Sequence, residues 1–138
     1  AKKQLGRFTK SDFSEICEKK RYYYKWLSMK LKDIEGIEVL WPEIPDGIVP
    51  FCISCLFNSK RDIFLETLRR KYEVMAWPTL SKMILDRLDD FPEVKLLGRK
   101  LLQINLPADK VRLPYFAKQM ESIVRDITKL SNGIPLDN

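Results

Sequence analysis

Between Tyr72 and Leu106 the chain carries two short apolar runs, and each runs into a proline, the first at Trp77-Pro78 and the second at Leu106-Pro107. A proline has no N–H to give to a strand ladder and its φ is fixed, so each of these steps is a hard stop for a strand. The stretch between the runs is polar and aromatic and contains Phe91-Pro92. The pattern predicts two strands, Glu73–Trp77 and Leu101–Leu106, joined by a crossover. A short helix over Leu80–Leu88 and a further helical turn or two over Glu93–Lys100 fit within it. If the chain has a functional site, it is expected where the first of these strands ends.

The remaining segments supply partners for such strands. Thr9 and Ser11 are candidate helix caps. From Phe13 apolar residues recur at three- and four-residue steps through Ile16, Tyr23/Tyr24, Leu27, Leu31 and Ile34, giving a helix of about six turns that Gly36 ends. Ile37–Trp41 reads as a strand closed by Pro42, and the turn-rich segment 42–47 leads to a second, almost continuously apolar strand over Pro50–Phe57. Ser59 with Asp62 forms a capping-box pattern for a helix carrying Ile63, Phe64, Leu65 and Leu68. Pro114 suits the first turn of a last helix whose stripe is Phe116, Met120, Ile123, Ile127 and Leu130, with Asn132-Gly133 as its stop. The tail 134–138 has no periodicity and is expected to fray. This order predicts an α+β fold, a small, mainly antiparallel sheet of about four strands with helices on one face and long helices at both ends.

Residues 1–138 suit one domain, large enough for a core and too short for two. No apolar run approaches a membrane span and no signal peptide opens the chain, so no membrane partner is expected. The chain has no histidine, which excludes His-based triads, His-ligated zinc and His acid–base chemistry within it. Three cysteines without a signal peptide predict a reduced, cytoplasmic protein. Ala1 in first place suggests a processed end or a fragment of something longer. The net charge of +6 allows an anionic partner. The basic groups, such as Lys19-Lys20-Arg21 and Arg69-Arg70-Lys71, are interspersed with acids, and no RNA-binding signature accompanies them. A free-standing basic module docking on nucleic acid or an acidic protein is the alternative reading, with nucleic acid disfavoured.

Cys52-Ile53-Ser54-Cys55 is a C-x-x-C pattern. On a strand, positions three apart point to opposite faces, so the two sulfurs cannot share a metal and core packing is expected instead. Tyr22-Tyr23-Tyr24-Lys25-Trp26 spreads around a helix, as a core-plus-interface segment does. Asp86, Asp89 and Asp90 lack a partner of defined role, the five glycines form no phosphate loop, and no Ser or Lys stands in a nucleophile's context. No catalytic or metal-binding residue is assigned.

Several spaced segments nonetheless combine into a pattern. They are Arg21-x-x-Tyr24-x-x-Leu27, Leu31-x-x-Ile34-x-Gly36-Ile37, Val49-Pro50-Phe51, Arg61-Asp62 with Leu65-x-x-Leu68, Tyr72-Glu73-Val74-x-x-Trp77-Pro78, Phe91-Pro92, Leu101-Leu102-x-Ile104-x-Leu106-Pro107, and Phe116 to Ile127. In this order they resemble the C-terminal small domain of fold-type-I pyridoxal-phosphate (PLP) aminotransferases, closest to the DegT/StrS-type sugar aminotransferases, over roughly residues 15–130. The resemblance implies a transferase of sugar-nucleotide or polysaccharide biosynthesis, homodimeric when complete. It implies a missing N-terminal large domain that supplies the Schiff-base lysine and the cofactor phosphate site. The small domain closes over the substrate side, and the resemblance puts Trp77, Pro78 and Thr79 there. No cofactor-binding residue is expected in this chain, and PLP is implied only for the full-length protein. Two positions depart from the family pattern: no His follows Trp77-Pro78, and Ala108-Asp109-Lys110 follows Leu106-Pro107.

Overall fold

The computed structural model describes residues 10–76, 82–106 and 113–136. Its elements are α1 (Lys10–Lys32), β1 (Ile37–Val39), β2 (Cys52–Phe57), α2 (Arg61–Leu68), β3 (Val74–Met75), α3 (Lys82–Leu85), a 3-10 turn (Leu88–Asp90), α4 (Pro92–Lys100), β4 (Leu101–Asn105) and α5 (Leu113–Ser131). The fold is α+β, with a four-stranded antiparallel sheet in the order β1-β2-β4-β3. Because β2 and β3 both run antiparallel to the β4 between them, β2–α2–β3 is a split β-α-β unit.

β2 and β4 form the centre of the sheet, paired from Cys52↔Asn105 to Leu56↔Leu101. Strand alternation turns Ile53, Cys55 and Phe57 of β2, with Leu102 and Ile104 of β4, to one face. There they meet Tyr24, Leu27 and Leu31 of α1, Phe64 and Leu68 of α2, and Phe116, Met120, Ile123 and Ile127 of α5 in one core cluster. α1, α2 and α5 therefore share one side of the sheet. Leu56 and Leu101 turn to the opposite side and are buried as well. β2 is apolar nearly throughout because both of its faces are covered.

α1 ends in a turn in which Gly36 takes φ 81°, a left-handed conformation that only glycine adopts without Cβ strain. Its carbonyl then accepts Asn58 N–H at 2.9 Å, clasping the open end of the β1–β2 pair, opposite the connection between the two strands. α5 ends as the sequence predicts. Gly133 N–H bonds Leu130 O and Ile134 N–H bonds Lys129 O, the paired closure of a Schellman cap around a left-handed glycine.

The start of α2 differs from expectation. Lys60, not Ser59, stands at the N-cap, at φ 58°, and no side chain caps the helix. The chain leaves β2 and enters α2 within three residues, and one of them must turn left-handed to achieve that. Ile63 and Phe64 N–H bond the Lys60 carbonyl, so the backbone closes the first turn that the Ser59–Asp62 pair was expected to close. Asp62 still adds negative charge to that turn.

The strand before Trp77 is shorter than expected, Val74–Met75 rather than Glu73–Trp77. Two ladder partners, Ile104 and Gln103, are all it has. The crossover contains α3 and the 3-10 turn in place of one helix over Leu80–Leu88. α4 is a full helix of nine residues beginning at Pro92. Arg61, at the head of α2, donates to the carbonyls of Gly98 and Arg99 at its last turn. A cation satisfying orphan carbonyls at a helix C-terminus also complements the helix dipole. Among the described residues no helix is long and apolar enough to cross a membrane.

Candidate functional site

Trp77, Pro78 and Thr79, the expected substrate-side residues, lie outside the described residues, as do Pro107 and the Ala108-Asp109-Lys110 segment. The described part of the strand exit is Met75, which pairs with Gln103 and is 37% exposed. Alternation puts Gln103 on the sheet face away from the core cluster, together with Ser54 and Cys52. Gln103 Nε2 donates to Ser54 Oγ at 3.1 Å, and Cys52 Sγ lies 3.9 Å from the same oxygen. Asn105, the register partner of Cys52, carries a buried Oδ1 without a hydrogen-bond partner. A polar strip therefore lines β2 and β4 beside the edge strand. Cys52 looks into this strip and Cys55 into the core, so the two lie on opposite faces as strand alternation predicts, while the expected core packing holds for Cys55 and not for Cys52. Burial pushes the Cys55 thiol up to about 12, with Cys52 adding to the shift, so this sulfur stays protonated and inert.

A second feature has no counterpart in the sequence reading. A cavity of about 550 Å³ opens where the turn after α2 meets α5 and the end of β4. Its apolar wall is Ile104, Phe116, Met120 and Ile123, all core residues. Its rim includes the three consecutive cations Arg69, Arg70 and Lys71. Periodicity alone assigns Phe116, Met120 and Ile123 to the apolar stripe of the last helix, and the basic triplet reads only as one of several charged groups interspersed with acids. The signal that unites them is the 3-residue turn ending α2, which sets its charged side chains beside the N-terminal half of α5.

One hydrogen-bond network fixes this wall. Tyr72 Oη donates to Asp126 Oδ2 at 2.8 Å and lies 2.7 Å from Ser122 Oγ, which accepts from Arg125 at 3.0 Å. Asp126 is 6% exposed, so the tyrosine hydroxyl supplies the donor that a buried carboxylate requires. Burial first, then the proximity of Asp126, pushes the Tyr72 phenol up to about 12, although its bond to Ser122 acts the other way. At the other end of the domain Tyr24 donates to Trp41 O and Ser28 donates to Pro42 O at 2.9 Å, pinning the β1–β2 connection to α1.

Two carboxylates of the crossover form surface pairs. Asp90 meets Arg87 at 2.8 Å, and Asp89 meets Lys95, whose hydrogen bond holds the Asp89 carboxyl below its ordinary range. Such exposed pairs are solvated and contribute little. Among the described residues no group of three His, Cys, Asp or Glu could hold a metal ion.

Compared with models of protein families, with curated proteins and with solved structures, the chain matches none of them.

Proposed function

We propose that this chain is the C-terminal small domain of a PLP-dependent aminotransferase-like protein of the DegT/StrS type, serving sugar-nucleotide or polysaccharide biosynthesis. In that reading it closes over the substrate side of a site whose lysine lies on a large N-terminal domain. One observation carries the proposal: the resembling segments follow one another in the family's order, and several of them lie at element boundaries. Arg21, Tyr24 and Leu27 lie along α1, Gly36-Ile37 makes the passage into β1, and Pro50-Phe51 leads into β2. Arg61-Asp62 opens α2, Tyr72-Glu73 leads into β3, Pro92 opens α4, and Leu101-Leu102-x-Ile104 forms β4. Arg61 has a structural task consistent with its place in the pattern, since it ties α2 to the end of α4.

Neither Lys30 nor Lys100 stands as a Schiff-base lysine for PLP. Lys30 is exposed on α1, with Nζ 6.0 Å from the Trp26 ring centre, and Lys100 ends α4. Neither stands in an enclosed site beside a phosphate cradle. Gly36, Gly47 and Gly133 each face open space, and with Gly98 inside α4 the described glycines form no such cradle. The chain is thus given a covering role, with Trp77, Pro78 and Thr79 on the substrate side and no chemical step of its own.

The test is the completed protein. Reading upstream of Ala1 should reveal a large α/β domain with its lysine, and the full protein should bind PLP with a visible absorbance and dimerise. A full protein that lacks such a domain, or one that has it and stays colourless with PLP, ends the aminotransferase reading.

A further inference from the structure

The cavity beside α5 combines an apolar wall with a cationic rim. Its wall is made of side chains that belong to the packed core, Ile104, Phe116, Met120 and Ile123. Protein interiors leave few voids larger than a water molecule, whereas about 550 Å³ lies within the range of small-molecule pockets. Its rim carries three adjacent cations, Arg69, Arg70 and Lys71. Arg69 is held by Glu66 at 2.9 Å. Glu73 is the one acid among the lining residues, so the rim is net positive.

We propose that this cavity binds a small amphipathic anion, an apolar body seated against Phe116, Met120 and Ile123 with a carboxylate or phosphate head on the Arg69–Lys71 rim. Charge complementarity selects the head group, because guanidinium groups pair with planar or tetrahedral oxyanions through paired N–H donors. The apolar wall selects the body, since hydrocarbon seated against it is removed from water. A long nucleic acid or a protein surface does not suit this geometry, because the cations are confined to one turn above a concave pocket. The Tyr72–Asp126 network pre-forms the wall by fixing the lead-in to β3 against α5. The site is independent of the aminotransferase reading.

The test uses the full chain with decanoate, decyl phosphate and decanol as probes, followed by calorimetry and by methyl and amide shifts. Decanoate or decyl phosphate should bind saturably, shifting Met120, Ile123 and Arg70, with decanol weaker. The tighter of the two anions identifies the head group. Arg70→Gln should weaken the anions about tenfold while leaving decanol unchanged, as loss of a charged hydrogen bond does. Gln119→Trp, at an exposed position on the lining, should block all three probes without disturbing the core. Failure of every probe to saturate overturns the proposal, as does binding indifferent to both variants or shifts confined to another surface.

Discussion

Tyr72→Phe is the sharpest probe of how this domain holds its edge strand. The phenol oxygen reaches across 54 residues of sequence to Asp126, so the bond is wholly a product of the tertiary fold. Removing it deletes the donor at 2.8 Å from Oδ2, while Arg125 Nε stands 3.9 Å from the other oxygen, outside hydrogen-bond range. A hydrogen bond to a buried charged acceptor contributes about 1.5–3 kcal/mol. The ring itself stays, so no cavity term is added. A loss of about 2 kcal/mol is expected, which in urea lowers the midpoint by about 1 M at an ordinary m-value. Asp126→Asn should cost a similar amount, and the double variant should show a coupling of about 1–2 kcal/mol. The assay is urea unfolding of the four proteins of that cycle. A Tyr72→Phe cost below about 0.5 kcal/mol, or additive single effects, refutes the claim that this pair ties β3 to α5.

Three further outcomes are expected. Burial raises Cys55, from 9.0, and Tyr24 and Tyr72, from 10.0, each to about 12 in the fold. Their neutral forms are favoured in the native state, so the stability they contribute is complete below the unfolded values and is lost as pH rises toward 12; the urea midpoint should fall progressively above pH 9, and a flat profile there would contradict the burial of these groups. Lys60 holds a left-handed φ of 58° without a side-chain cap, so Lys60→Gly should relieve strain and raise stability by roughly 0.5 kcal/mol after the entropy of the unfolded glycine is counted, and thermal melts that drop instead would show a role for the lysine side chain. Cys17 and Cys52 should react with a thiol reagent in the native protein, and Cys55, 0% exposed, only on unfolding; stoichiometric native labelling at Cys55, read by mass spectrometry, would contradict its place in the core.

The two long terminal helices were legible because their signal is local, whereas the crossover helix expected over Leu80–Leu88 is α3 and a separate 3-10 turn. The stripe Phe116, Met120, Ile123, Ile127 and the Asn132-Gly133 stop describe α5 without reference to any other element, and the same holds for α1. The central strands were legible because β2 is apolar throughout and β4 ends in a proline step. The entry to α2 was not, since Ser59 and Asp62 satisfy the capping pattern while the turn out of β2 requires Lys60 in a left-handed conformation. β3 was overextended because an apolar run does not show how many ladder partners it will find, and this one finds two.

By itself, then, the sequence determined the element order, the α+β class, the opposite facing of the two β2 cysteines and the absence of histidine chemistry. These follow from period, proline chemistry and composition, which act over a few residues. Only the tertiary structure decided that β4 lies between β2 and β3, that Tyr72 meets Asp126, and that Arg69-Arg70-Lys71 rims a cavity walled by Ile104, Phe116, Met120 and Ile123. Each of these joins residues that have no local reason to meet. They do so because the core closes in one arrangement, and that closure brings the turn after α2 to the flank of α5.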